Sequence, residues 1–114
     1  MFLLAIEDKL QEIDPNVFYG MVDKKIAETA WNYIVFNRTG VKYNDNKTAK
    51  SDAFDVHIVR ENYIPEGLET EVAQKLCELP GVRLSGETKF YYERKPNTNI
   101  VIEMLTISFV RARK

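Results

Sequence analysis

Hydrophobic positions recur along this chain in two alternating rhythms, one helical and one extended. Leu3, Ile6, Leu10 and Ile13 fall at steps of three, four and three, with Glu7, Asp8, Lys9, Gln11 and Glu12 between them. That spacing predicts an amphipathic helix with one buried face. Asp14-Pro15-Asn16 ends it, because the residue before proline disfavours the helical region. Val17–Val22 is short and aromatic and reads as a strand. Asp23–Ala30 has no clear period and reads as a loop. Trp31–Thr39 carries large residues on both faces, Trp31, Tyr33 and Val35 on one and Ile34 and Phe36 on the other. A strand of that kind is usually covered on both sides. Gly40 is expected to punctuate it.

Asn44–Asp52 (NDNKTAKSD) lacks bulky apolar residues and reads as a mobile polar loop, with Asn44, Lys47 and Lys50 as candidate contact residues. Phe54, Val56 and Ile58 then alternate with Asp55 and His57, the pattern of a half-buried strand. Leu68, Val72, Leu76 and Leu79 mark the stripe of a second helix, with Ala73 and Cys77 beside it. Glu66, Glu69 and Glu71 crowd its start, where the helix dipole favours negative charge. Glu71 and Lys75 are spaced to pair across one turn, and Pro80-Gly81 is a stop signal. Lys89–Arg94 and Ile100–Val110 form a hairpin about a Lys95–Asn99 turn. The last strand is apolar on both faces through Leu105, which leaves open which face meets the core. The order is α-β-β-β-α-β-β: a single α+β domain over residues 1–114, an antiparallel or mixed sheet with two helices packed on one face.

Composition narrows the function classes. The chain has 114 residues, near the common size of one domain, and is 45% hydrophobic and 29% charged. Sixteen basic and seventeen acidic side chains nearly cancel, which argues against nucleic-acid binding through bulk charge. Cys77 is the sole cysteine and His57 the sole histidine, so an intramolecular disulfide is excluded and a Cys/His metal site is not expected. Met1-Phe2-Leu3-Leu4 is apolar but Glu7 and Asp8 follow at once; neither a signal peptide nor a membrane span of about twenty apolar residues is present. The chain is expected to be made and folded in the cytoplasm.

Candidate chemistry is sparse. Asp55 and His57 share a strand face and could form an acid–base pair, but no G-x-S-x-G elbow accompanies them, and a solvated polar face is expected. Cys77 lies late in its helix beside the leucine stripe, so a packed small hydrophobe is expected rather than a nucleophile. Arg38-Thr39-Gly40 is too short for a phosphate loop and reads as a turn. Arg111, Arg113 and Lys114 form a basic end, either frayed or engaged between subunits. Phe90, Tyr91 and Tyr92 are adjacent, so some ring must face away from the core, where it could stack a base or bury against another subunit. Without a matching basic stripe, the subunit contact is preferred. No catalytic residue, cofactor or metal is expected.

The motifs together resemble the small tail-completion (tail-terminator, or head–tail joining) proteins of long-tailed bacteriophages. Those proteins open with a short helix and a brief strand near a proline. A strand of the form aromatic-x-aromatic-Ile/Val-Val-x-x-Arg-x-Gly follows, similar to Trp31–Gly40. A polar loop, an alternating strand like Phe54–Val59, a helix like Leu68–Leu79 and a closing hairpin complete the likeness, which spans nearly the whole chain. The resemblance implies a non-enzymatic virion protein. It would form a ring, commonly a hexamer, that terminates the tail tube and meets the head connector. Its partners would be its own copies, the tail-tube protein and connector proteins, with no membrane and no specific nucleic acid. Some relatives of similar size act one layer higher, as head-completion proteins. The remaining alternatives are a small enzyme using Asp55 and His57, and a nucleic-acid-binding regulator using Lys89, Tyr91, Tyr92 and Arg94. On the assembly reading, Phe90, Tyr91 and Tyr92 would lie between subunits, with Arg111 and Arg113 near the rim.

Overall fold

A computed structural model describes residues 2–21, 31–43 and 50–113. The chain forms α1 (Phe2–Gln11), β1 (Val17–Tyr19), β2 (Tyr33–Tyr43), β3 (Lys50–Glu61), α2 (Leu68–Cys77), β4 (Val82–Leu84), β5 (Lys89–Arg94) and β6 (Val101–Arg113). The α+β class is as expected, with one strand more, β4, than the hydrophobic pattern gave. The sheet runs β1-β2-β3-β6-β4, and β5 also pairs with β6. β4 lies along the C-terminal part of β6 and β5 along its N-terminal part, so the two follow each other on one flank. β1 is parallel to β2 and every other pair is antiparallel, which makes the sheet mixed.

Both helices cover one face. Ile6 and Leu10 of α1 and Val72 and Leu76 of α2 are fully buried. They meet alternate residues of the central strands: Ile34 and Phe36, Phe54, Val56 and Ile58, then Leu105, Ile107 and Phe109. This resolves the ambiguity of the last strand, since the odd residues from Leu105 onward face the helices. Leu68 and Leu79 flank the stripe and are only half-buried, while the smaller Val72 sits at its centre. The opposite face carries a second cluster of Tyr33, Val35, Val59 and Ile102 with Phe18, Trp31, Ile100 and Met104 around it. That β2 is apolar on both sides follows from these two clusters.

Several boundaries differ from the sequence expectation. β1 ends at Tyr19: Gly20 still donates its N–H to the Phe36 carbonyl at 2.9 Å, but its φ of 79° turns the chain out of the strand, and Val22, the expected end, lies outside the described residues. Asp23–Ala30, expected as a loop, lies outside the described residues. Gly40 does not end β2: the register shifts between Arg38 and Gly40, and the strand continues to Tyr43. An extra residue at such a bulge bends a strand without stopping it.

The expected polar loop is also partly strand. Lys50, Ser51 and Asp52 belong to β3 and pair with Tyr43, Lys42 and Val41 on one side and with Arg113, Ala112 and Arg111 on the other. A central strand is held by two backbone ladders, so polar side chains do not prevent it. Asn44 and Lys47 lie outside the described residues. Lys75 pairs with Glu12 of the α1 exit at 3.2 Å, not with Glu71, because the two helices pack side by side and bring a tertiary partner closer. After α2, Gly81 takes a φ of 79°, and a Cβ there would meet the Ala112 carbonyl at 3.1 Å. Glycine therefore lets β4 approach β6.

Asp14 ties the exit of α1 to the sheet. Its Oδ1 accepts the Asn16 backbone N–H at 2.8 Å, and its Oδ2 accepts Arg60 Nη2 at 2.6 Å. Arg60 Nη1 donates to the carbonyls of Tyr33 (3.2 Å) and Val59 (2.9 Å). Both side chains are largely buried.

Candidate assembly surface

The polar row of the sheet carries the Asp55 and His57 side chains at the centre of β3. His57 sits between two neighbours in register, Val35 on β2 and Thr106 on β6. Its Nδ1 lies 2.9 Å from Thr106 Oγ1 and its Nε2 lies 2.8 Å from Asn37 Oδ1. Neutral imidazole satisfies this arrangement: Nε2–H donates to the Asn37 oxygen and Nδ1 accepts from the Thr106 hydroxyl. Burial lowers the His57 pKa below 6.5, and the Asp55 charge opposes that shift. Both ring nitrogens are thus committed to neutral partners, and neither contact is to Asp55. The expected solvated face is half-buried at His57, whose two side-chain hydrogen bonds add a cross-link over β2, β3 and β6 to their backbone ladders.

Cys77 is exposed, contrary to the expected packed position. The stripe of α2 centres on Val72 and Leu76, which turns Cys77 towards the groove between α2 and the β4–β5 flank. This groove, of about 340 Å³, is lined by Ala73, Cys77, Leu84 and Ile107 with polar groups at its rim. Sequence reasoning missed it because it missed β4. The Val82-Arg83-Leu84 alternation after Pro80-Gly81 was the available signal. Among the described residues, no group of three or more His, Cys, Asp or Glu side chains is placed to hold a metal ion.

The basic positions are engaged within the subunit. Arg38 is a strand residue at the bulge, not a turn residue, and its Nε donates to the Tyr19 hydroxyl at 3.0 Å. Arg111 is no frayed end: it lies in β6, its guanidinium 3.8 Å from the Phe2 ring centroid and 3.7 Å from Asp52. The backbone of Arg113 closes β6 opposite Lys50. Lys50 is exposed with its ammonium 5.9 Å from the Tyr43 ring centroid.

β5 differs from every other strand in that all six of its residues are exposed. Phe90, Tyr91 and Tyr92 are 47%, 48% and 62% accessible. The register with β6 places Phe90 and Tyr92 on the helix face and Lys89, Tyr91 and Glu93 on the other. α2 does not reach across to cover the first pair, and Leu84, on the same face, is 51% exposed. Tyr92 hydrogen-bonds to the Glu103 carboxylate, which raises the phenol pKa and keeps it protonated. Some ring was expected to face away from the core: Tyr91 lies on the face opposite the helices, and Phe90 and Tyr92, although on the helix face, are uncovered as well.

In comparisons with known proteins, no protein-family model and no curated protein matches this chain. Among the described residues no helix is long and apolar enough to cross a membrane.

Proposed function

We propose that this chain is a non-enzymatic virion assembly protein of a long-tailed bacteriophage, acting at the head-proximal end of the tail. There it terminates the tail tube and joins it to the head connector. The observation that carries the reading is the exposed aromatic flank of β5 beside the uncovered Leu84 and the α2 groove. A contiguous apolar flank on a small domain marks a protein contact, and aromatic residues are the side chains most enriched in such contacts. The imidazole locked between Asn37 and Thr106 supports a structural role for His57 over an acid–base one. The likeness of the chain's motifs to tail-completion proteins supplies the biological setting.

In this setting the protein reaches the virion from the host cytoplasm and works as a homo-oligomer, with a hexameric ring as the form the likeness suggests. The test is pelleting of purified protein with isolated tail tubes. Saturable binding that survives high salt is expected. Binding to nucleic acid that falls steeply with salt would instead favour a regulator using Lys89, Tyr91, Tyr92 and Arg94. Binding to connectors but not to tubes would move the protein one layer up, to head completion.

A further inference from the structure

We propose that the free edge of β5 is self-complementary, and that two copies of the chain pair through it across a two-fold axis at Tyr91. Among the described residues β5 pairs with β6 alone, so its other edge is open. Lys95 N–H donates to the Ile100 carbonyl at 2.9 Å, and the same register continues unbroken to Lys89 opposite Thr106. Hydrogen-bonded and non-bonded positions alternate along an antiparallel ladder. Residues 89, 91, 93 and 95 therefore turn their backbone groups towards β6. Phe90, Tyr92 and Arg94 turn theirs outward, where they can bond a second strand.

The side chains select one register. In a two-fold antiparallel pair, facing residues lie on the same side of the joined sheet. An axis at Tyr91 sets Lys89 opposite Glu93 of the second copy, twice, on one side. It sets Phe90 opposite Tyr92 of the second copy, twice, on the other. Phe90 and Tyr92 are the outward-bonding residues, so each such couple exchanges both backbone hydrogen bonds. Tyr91 meets its own copy at the close, non-bonded position. Moving the axis to Tyr92 would set Lys89 against Lys95, and moving it to Phe90 would set Glu87 against Glu93. Each of those shifts opposes like charges, which is unfavourable for facing residues. Lys89 and Glu93 form no ion pair among the described residues of their own subunit, and both are exposed. This ring-bearing edge, with its charges near the ends, also lacks the mid-strand lysine or proline that usually protects such an edge.

This inference does not rest on the tail-junction reading. A two-fold pair is closed, so it defines a dimer of the free protein whatever the protein later joins. The test is sedimentation equilibrium on the full chain together with charge exchange. The parent should reach a dimer and stop there. Lys89→Glu and Glu93→Lys should each weaken it roughly tenfold or more by opposing like charges twice. Mixing the two variants, or combining both changes in one chain, should restore dimerisation, because each lysine again faces a carboxylate. Tyr92→Pro removes an outward N–H while leaving the β6 ladder intact, and should abolish the dimer with little change in circular dichroism. The proposal is overturned if the parent stays monomeric to about 1 mM, a concentration at which even weak specific contacts form. It is also overturned if the parent forms only larger rings, or if the mixed variants stay as weak as each alone.

Discussion

Removing Arg60 should destabilise the fold far more than an ordinary surface ion pair would. The Asp14 carboxyl is 6% exposed at the residue level and its two oxygens have separate duties. One oxygen holds the turn at Asn16 N–H, and the other takes Arg60 Nη2 at 2.6 Å. In Arg60→Met the stem is replaced by a side chain of similar length, but the carboxylate keeps a single donor in a largely buried site. Leaving a buried charge unpaired costs about 3–5 kcal/mol. The Tyr33 and Val59 carbonyls also lose their side-chain donor, although both remain in a sheet. Domains of this size have unfolding entropies that turn that loss into a fall in Tm of roughly 12–20 °C. The assay is urea unfolding followed by Trp31 fluorescence and by circular dichroism, so that two probes check for a single transition. Asp14→Leu combined with Arg60→Met removes both charges, leaves one turn N–H unpaired, and should cost only about 1–3 kcal/mol. A single-variant loss below about 1 kcal/mol, the range of solvated pairs, would refute the reasoning. So would a double variant at least as unstable as the sum of the singles.

Three further outcomes follow from the same geometry. Leu76→Ala, at a fully buried position, should cost about 2–5 kcal/mol by urea unfolding, and Leu79→Ala, half-buried, should cost less; equal losses would misplace the α2 stripe. The folded pKa of His57 lies below 6.5, so the unfolded chain takes up its proton first as pH falls; the stability held at neutral pH should therefore decline as pH drops through 6.5 towards the folded value. His57→Gln should flatten that part of the profile, and an unchanged slope would show that the imidazole is not the group responsible. Tyr91→Ala and Tyr92→Ala, made separately, should leave the Tm close to that of the parent, and at least one should weaken assembly by about 2 kcal/mol, read by sedimentation; two variants that associate as the parent does would remove the rings from the interface.

How much of this was legible beforehand depended on how local the cause was. The stripe of α1, the Phe54–Ile58 alternation and the β5–β6 hairpin are written in neighbouring residues, and each appears where expected. Gly40 misled because a glycine that ends a strand and a glycine that lets a strand bulge look alike until the partner's register is known. Lys50–Asp52 misled because a central strand draws its stability from two flanking ladders, not from its own polar side chains. β4 is three residues long and exists only because β6 extends far enough to receive it. Once β4 was missed, the groove exposing Cys77 was missed with it. The partners of Lys75 and His57 lie 63 and 49 residues away for Glu12 and Thr106, beyond the reach of any local pattern. That at least one ring of β5 would be exposed was foreseeable, since three adjacent aromatics cannot all face one core; that all three are exposed was not. Their side-by-side exposure with Leu84 required the sheet order.

The central claim is that this protein joins tails to heads, and loss and restoration of that joining test it most directly. The gene would be deleted from a phage or prophage that carries it, and the lysate viewed by negative-stain electron microscopy before and after purified protein is added back. The account predicts separate filled heads and tails without the protein, and joined, infectious particles once it is supplied. The double variant Asp55→Ala, His57→Ala should restore joining as well as the parent does. Joined virions at the parental frequency in the deletion strain would contradict the account, and so would a deletion defect that only Asp55 and His57 can repair.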